Sequence, residues 1–324
     1  MSTAPDSSPT MRAARVRRFG SPDAIVVERL PRPIPDEGQV LVRVAAAGVG
    51  PWDAWIRAGR SVLPQPLPLT LGSDLSGVVD AIGTGVAGLQ PGEEVYGVTN
   101  GRFTGAYAEY ALAEAARLAP KPRTLDHVQA AAVPVVAVTA WQILFDHARI
   151  TAGQRVLIHG AAGNVGGYAV QLARHAGAHV IGTAIGAAVD RVRDLGADET
   201  IDVSAARFEA ALANEPVDVV VDLVGGEIQV RSLEILKSGT GILVSAVSEP
   251  DRDRAARRGV RASFMLVDVT RTTLTEIARL LDEGRLQAGN VGEVLSLDEA
   301  SRAHRMLEGA VPHKRGKIVL TLSV

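Results

Sequence analysis

Apolar and polar positions follow two different periods along this chain, and the changeover divides it. Met11 to Val16 (MRAARV), Ala24 to Leu30 (AIVVERL) and Gln39 to Ala45 (QVLVRVA) read as strands separated by turn residues. Pro31 to Gly38 (PRPIPDEG) is too rich in proline for a helix or a central strand and makes a connecting loop. Gly77 to Ile82 and Glu94 to Val98 add short strands on either side of the glycine-rich GTGVAGLQPG. Such a run predicts a compact, barrel-like β domain. Past Pro120 helical spacing takes over, first at Leu125 to Ala132 and Thr139 to His147. Strands at Arg155 to His159, His179 to Thr183, Glu199 to Val203, Val217 to Asp222, Gly241 to Ala246 and Arg261 to Val267 then alternate with helices. Three of these helices are predicted at Ala187 to Leu195, Ala205 to Ala213 and Glu227 to Leu236. Alternation of this kind with short loops implies a parallel six-stranded sheet covered on both faces. A helix follows at Thr272 to Glu283, and the closing GKIVLTLSV is again a β signal that belongs with the first domain. The expected division is a loose tail at 1–10, a β-rich domain from 11–123 and 286–324, and an α/β domain at 124–285.

The densest chemistry lies in Arg155 to Arg174, RVLIHGAAGNVGGYAVQLAR, where a buried strand turns through glycines into a helix. A helix start preceded by glycines offers bare N–H groups and the positive end of a dipole to a pyrophosphate. The spacing of Gly160, Gly163 and Gly166 is G-x-x-G-x-x-G, not the strict G-x-G-x-x-G, so an ordinary tight turn competes with the binding reading. The surrounding parallel sheet decides for binding. Ligands of such sheets lie beyond the strands' carboxyl ends. The candidate cofactor contacts are therefore Gly160, Ala162, Gly163, Asn164 and Val165 in the turn, Thr183 after the second strand, Val224 and Gly225 after the fourth, and Ser245 and Ala246 after the fifth. The Asp or Glu that an NAD site places about 20 residues past the turn is missing, which favours NADPH over NADH. Arg191, with Arg193, is the nearest cation for a 2′-phosphate, although either also fits a solvated helix charge.

Composition narrows the field. Among 324 residues there is no cysteine, so thiolate metal sites and disulfides are excluded and a cytoplasmic setting is favoured. A net charge of −2 argues against nucleic acid or anionic lipid as a general partner. No run approaches the roughly 18 apolar residues of a membrane span, and MSTAPDSSPT shows no export signal. His175 and His179 are separated by Gly177, which breaks the helix between them, so they make no metal pair. The basic run Arg252 to Arg261 reads as a solvated loop.

The motifs resemble the zinc-independent branch of the medium-chain dehydrogenase/reductase superfamily, the quinone oxidoreductase-like proteins. The resemblance spans nearly the whole chain from Met11. It rests on RPIPDEGQVLVRVAAAGV (Arg32 to Val49), PWDAWIRAG (Pro51 to Gly59), LGSDLSGVV (Leu71 to Val79), GAYAEY (Gly105 to Tyr110), TAWQILF (Thr139 to Phe145), VLIHGAAGNVG (Val156 to Gly166), LGADETID (Leu195 to Asp202) and GKIVL (Gly316 to Leu320). It implies a GroES-like catalytic domain built from both chain ends, a Rossmann domain between them, a homodimer, and hydride transfer from NADPH to a quinone or an α,β-unsaturated carbonyl. Zinc-dependent cousins carry Cys and His where this chain has Gly50 and Ser73, so the resemblance implies no zinc.

Three positions depart from the family's pattern. Gly50 stands where Asn is common at the nicotinamide end, Trp55 where Tyr is common, and Asn164 where Gly is usual. Asn164 either reaches the cofactor or caps the helix. Gly50, Trp52 and Trp55 are the candidate catalytic positions. Trp55 can orient a substrate through its indole N–H but cannot supply a proton. The remaining donors toward a carbonyl oxygen are a backbone N–H near Gly50 or Phe264, or a water. Asp53 reads as a cap of the following turn or a partner of Arg57. Thr139 either caps a helix or contacts the nicotinamide, and Phe264 lies on a strand that in this fold borders the cleft. Two rivals stay open beside the reductase: a pathway-specific tailoring enzyme performing an unusual reduction or a non-redox cyclisation, and a non-catalytic NADPH-binding sensor or structural protein.

Overall fold

A computed structural model describes residues 9–322. The tail expected over 1–10 lies outside them apart from Pro9 and Thr10, and Thr10 already opens the first strand. The described residues fall into two units. One comprises Val136–Asp268 and Glu283–Ala288, and the other comprises the rest.

The β-rich unit opens with β1 (Thr10–Val16), β2 (Ile25–Pro31) and β3 (Gln39–Val49), followed by α1 (Pro51–Arg57) and β4 (Leu69–Thr70). Then come β5 (Asp74–Ile82), β6 (Glu94–Val98), β7 (Tyr110–Glu114), β8 (Leu118–Pro120) and α2 (His127–Ala131). The chain next passes through α3 (Pro134–Trp141), β9 (Arg155–Ile158), α4 (Asn164–His175), β10 (His179–Ala184), α5 (Ala188–Asp194), β11 (Glu199–Asp202) and α6 (Phe208–Ala211). It continues with β12 (Val219–Asp222), α7 (Gly226–Ser232), β13 (Ile242–Ser245), α8 (Arg252–Arg257) and β14 (Arg261–Phe264). The closing elements are α9 (Arg271–Asp282), β15 (Val291–Ser296), α10 (Ala300–Leu307) and β16 (Lys317–Thr321).

In the β-rich unit a seven-stranded sheet runs β15-β16-β3-β5-β6-β8, with β7 also on β3, beside a small sheet β2-β1-β4. Most of β3 is buried, with Arg43 exposed and Gln39 and Ala45 half-buried, because strands pair with it along its length and other elements cover it. The last strand returns to this sheet. β16 pairs antiparallel with β3, Ile318 opposite Val49, and β3 pairs antiparallel with β5, Leu75 opposite Ala47. These two registers bring Lys317 and Asp74, far apart in sequence, to the end of β3 where α1 begins.

The other unit is a parallel sheet of six strands in the order β11-β10-β9-β12-β13-β14. The order reverses between β9 and β12, which makes the carboxyl end of β9 the topological switch point. On one face Leu157, Ile181, Val220 and Leu243, in register across neighbouring strands, pack with Phe208, Leu212, Leu233, Leu236 and Ala255 in one cluster, and on the other the alternate residues Val156, Val180, Val219 and Val221 are buried as well.

Several boundaries differ from the sequence reading. α2 and α9 belong to the β-rich unit, not to the α/β unit expected over 124–285. Side chains explain α9: Tyr96 donates its hydroxyl to Leu274 O (2.6 Å), and the Arg271 guanidinium donates to Ala115 O and Leu118 O. The basic run is not a loop. Asp251 accepts from Arg254 N (2.8 Å) as a helix cap and starts α8. Pro134 starts α3 five residues ahead of the expected helix, as a proline suits a first helical position, and a π-helical segment Gln142–His147 continues it.

Candidate active site

At the switch point β9 ends, and the backbone turns through Gly160 in the left-handed region (φ 70°) before Gly163 closes the turn by donating to Gly160 O (2.9 Å). A Cβ on Gly166 would lie 2.2 Å from Gly160 O, so glycine here lets α4 approach the turn. Gly163 is the N-cap of α4 and offers no side-chain capping bond. The first N–H groups of α4, on Asn164, Val165 and Gly166, lack intrahelical acceptors by the geometry of a helix start. Gly163 and Asn164 are exposed, Val165 is half-buried and Ala162 is buried beneath them. Asn164 stands at the first helical position rather than at the cap, so the capping role expected for its side chain is not the one it has. An anion of pyrophosphate size fits this cradle: it has bare donors, no side chain in the way and the positive end of a twelve-residue helix.

The neighbouring strand ends are organised by buried polar side chains. Asp222, at the end of β12, accepts from Val224 N (3.1 Å), Gly225 N (2.8 Å) and Gln229 Nε2 (2.9 Å), which shapes the DLVGG turn. Gln229 also donates to Ser248 O, tying this turn to the loop after β13. Ser245 uses its hydroxyl oxygen to accept from Val247 N and Ser248 N, both at 3.2 Å, so that side chain shapes a loop. Ala246 is held by its N–H to Asp222 O, and Phe264 ends β14 half-buried, in register with Ser245. Ile185 (65% exposed) and Val224 (47%) stand at the carboxyl ends of β10 and β12 and give the sheet an apolar rim.

Thr183 is buried, and its hydroxyl belongs to a chain below the turn. Ser232 Oγ donates to Ile228 O (2.7 Å), so it accepts from His159 Nε2 (2.9 Å), and His159 Nδ1 accepts from Thr183 Oγ1 (3.1 Å). Burial pushes the His159 imidazole down to about 4, which keeps it neutral. Thr139 sits inside α3, buried, and does not cap a helix. Of the two arginines on α5, Arg193 pairs with Asp190 (2.7 Å), while Arg191 carries a buried Nε with no partner. Asp202 lies opposite Ala184 at the end of β11 and accepts from Gly186 N (3.2 Å), Ser204 N (2.9 Å) and Ser204 Oγ (2.6 Å). The carboxylate missing from β10 is thus matched by one on the adjacent strand. Those bonds hold Asp202 below the usual carboxylate range, the Ser204 hydroxyl contributing most.

In the β-rich unit, Gly50 is the N-cap of α1. Its N–H donates to Asp53 Oδ2 (2.8 Å), which also accepts from the Tyr107 hydroxyl (3.1 Å). Asp53 therefore closes the first turn from its third position by reaching back to the N-cap backbone, and Arg57 pairs instead with Glu308. The Gly50 N–H is consumed here and is not free to meet a substrate oxygen. Burial lifts Asp53 to about 7, against the opposing pull of the Gly50 N–H and Lys317. Trp52 Nε1 donates to Ser73 Oγ (3.2 Å), and Lys317 Nζ lies 4.4 Å from the centroid of the Trp52 ring. Lys317 and Asp74, 3% and 0% exposed at their side chains, pair at 2.9 Å. Trp55 alone among the three candidate positions keeps a free donor: it is 48% exposed and its indole N–H has no acceptor among the described residues. Among those residues no three His, Asp or Glu side chains come together as a metal site.

Comparison with known proteins turns this geometry into a family. Residues 36–123 match the alcohol dehydrogenase GroES-like domain, and residues 195–320 match the domain described as zinc-binding dehydrogenase. The quinone oxidoreductase of Rattus norvegicus is 32% identical over 96% of this chain and 98% of its own. The structure of the quinone oxidoreductase from Coxiella burnetii, 32% identical, superposes with a TM-score of 0.89 over 97% of this chain and all of that one (100%). The chain is a zinc-independent medium-chain dehydrogenase/reductase. A mycobacterial protein solved in complex with NADPH, 28% identical, is similar with a TM-score of 0.82 over 96% of this chain and 99% of that one. Within this family's frame, the sequence reading missed three residues. Asp202 escaped because it belongs to a neighbouring strand, and Asp222 because its role is to shape a turn. Lys317 escaped because its partner is 243 positions away. The only signals available were the acids closing two predicted strands and a lone lysine opening an apolar one.

Proposed function

We propose that the chain is an NADPH-dependent reductase that transfers hydride to a quinone or to the β-carbon of an α,β-unsaturated carbonyl without a metal. The observation that carries this reading is the uncapped, glycine-lined start of α4 at the switch point of the sheet. When bound, the reduced nicotinamide supplies the hydride. The chain's own part is to bind, orient and stabilise. N–H groups of Asn164 and Val165 hold the pyrophosphate, and the rim of Ile185 and Val224 shelters apolar parts of the cofactor. Arg191, on the helix that follows β10, is the cation that would take a 2′-phosphate, and the three donors to Asp202 all bind its Oδ1. Trp55 donates to the carbonyl oxygen that gains charge, and the proton at the α-carbon comes from solvent. The metal-free reading rests on Gly50 and Ser73 standing where zinc-dependent relatives carry ligands. Cytoplasmic residence and a homodimer belong to the same proposal, on the cysteine-free composition and the family resemblance.

Calorimetry with NADPH and NADH, followed by turnover with a panel of quinones and enones, tests the reading. NADPH binding with oxidation supports it, and binding of neither dinucleotide ends it. Arg191→Ala should weaken NADPH about tenfold and leave NADH unchanged, as loss of a charge-assisted bond would. A second reading, a tailoring enzyme with a different reaction on the same scaffold, is favoured by the changed pair Gly50 and Trp55. NADPH binding without oxidation by any of the panel would select it.

A further inference from the structure

Arg57 is a buried guanidinium that its surroundings satisfy only in part. Its side chain is 2% exposed, yet of the guanidinium nitrogens only Nη2 has an acceptor, the carboxylate of Glu308, while Nε and Nη1 are buried without one. Buried donors left unmet are rare in folded proteins, because each forfeits its bonds to water. Glu308 is the one carboxylate paired with Arg57 among the described residues, and at 37% exposed it stands at the rim, free to turn toward solvent. His304 feels the Arg57 charge, but burial first and then that charge push it down to about 3, so its ring is neutral and balances nothing.

Arg57 also lines a surface cleft of about 360 Å³, walled by the Gly20–Pro22 turn, Arg60 and Glu308. Arg60 is exposed and makes no ion pair among the described residues. Ser21 is exposed as well, and its hydroxyl makes no capping bond to the turn that follows it. Two guanidinium groups, a hydroxyl and a single carboxylate therefore meet in one place. A monocarboxylate entering there would gain nothing over Glu308, which is tethered beside Arg57 and competes at a high effective concentration. A phosphate ester is different, since it carries close to two charges and three acceptor oxygens, enough to serve both arginines and the hydroxyl together.

We propose that this cleft binds a small phosphate ester, whose phosphate displaces Glu308 from Arg57 and is held by Arg57, Arg60 and the Ser21 hydroxyl. Glu308 turns outward, where solvent and salt screen its charge. Arg57 ends α1 and Glu308 follows α10, so the exchange unties the two helix ends from each other. The site lies at the opposite end of α1 from Gly50 and shares no residue with the turn before α4, so it stands independently of the reductase reading.

The test is calorimetry of the full-length protein with glycerol 3-phosphate and, beside it, acetate. The wild type should bind the ester and not acetate. Glu308→Gln keeps an acceptor for Arg57 Nη2 but removes the competing charge, and should tighten the ester about tenfold. Arg60→Gln should weaken it about fivefold, as loss of one exposed ion pair would. Arg57→Lys should weaken it about tenfold or more, because an ammonium cannot present the guanidinium fork. Arg60 is exposed, so Arg60→Gln should keep the wild-type Tm and carries the test if Arg57→Lys does not fold. No binding of the ester at roughly 10 mM, equal binding of acetate, or weaker binding in Glu308→Gln would each overturn the site. Ester affinity unchanged in both Arg60→Gln and Glu308→Gln would also overturn it and assign the ester to the turn before α4.

Discussion

The two ends of the proposed chemistry are built in opposite ways. At the start of α4 the functional surface is backbone: three glycines, a tight turn and a set of N–H groups, all within one short stretch of chain. At the start of α1 it is side chains, Trp52 on Lys317 on Asp74, with Asp53 on Gly50 and Tyr107, drawn from α1, β5, β16 and the segment before β7. A backbone site tolerates change in any residue whose side chain points away and fails when a Cβ enters it. A side-chain site fails when one charge loses its partner. The first kind asks only for an open backbone, and the second asks for a set of side chains that must all stay paired.

The largest effect should therefore come from the side-chain site. Lys317→Met leaves Asp74 buried without its counter-ion and should cost about 3–5 kcal/mol in chemical denaturation. Adding Asp74→Asn, which keeps an acceptor for Val135 N, should restore most of the loss. If Lys317→Met alone is as stable as the wild type, the buried pair is not what holds α1's start. Gly166→Val comes next. Its Cβ would press on Gly160 O at 2.2 Å and Ala161 Cα at 2.7 Å, so overpacking of about 2–3 kcal/mol is expected, with NADPH binding lost in calorimetry. Retained binding would show that the turn can yield without losing its cradle.

The contrast extends to pH with opposite signs. His159 is pushed down to about 4 from an unfolded value near 6.5, so the unfolded chain binds the proton first. The stability this histidine brings is complete above about pH 6.5 and is lost as pH falls toward 4, about 3 kcal/mol in all. His304, with both ring nitrogens buried and unpartnered, is pushed down to about 3 by burial and then by Arg57, and it adds to the same acid limb. Asp53 is lifted to about 7 by burial, so the folded state holds its proton. Its contribution is complete below about pH 4 and is lost as pH rises through 7. Thermal unfolding against pH should show Asp53→Asn gaining on the wild type at pH 8 and not at pH 4, with His159→Gln flattening the fall between 6.5 and 4. An Asp53→Asn curve parallel to the wild type at all pH values would remove the carboxyl from this account.

How much was legible in the sequence follows the same divide. The turn, the six-stranded sheet and the return of the last strand could be read because each rests on local signals: glycine spacing, strand-helix alternation and a short apolar run. The Arg252 run was misread because Asp251 starts its helix through a single local contact that composition masks, and the position of Thr139 was misread because α3 starts earlier, at Pro134, where Asp74 accepts from Val135 N across 61 positions of sequence. Lys317 and Asp74 meet only through two strand registers, and no spacing in the chain encodes that meeting. Gly50 was visible as a departure, but that Trp52 fills its space depends on a rotamer. Asp202 shows the same limit: reading one strand at a time found a missing acid, whereas the adjacent strand brings one to the same edge.

The smallest effect sharpens the comparison from the backbone side. Asn164 is the turn residue with a polar side chain, and it is exposed, sits at the first helical position and makes no capping bond. If the cradle is made of N–H groups alone, Asn164→Gly should change stability by no more than about 1 kcal/mol, the helix-propensity difference at a position where it counts least. NADPH affinity should then shift by less than about threefold, because the donors of residues 164–166 are kept. A loss of roughly tenfold or more would mean that the amide itself touches the cofactor, since one neutral hydrogen bond is worth about that much. The phosphate end would then share the character of α1's start, a backbone frame into which this chain has placed a side chain of its own.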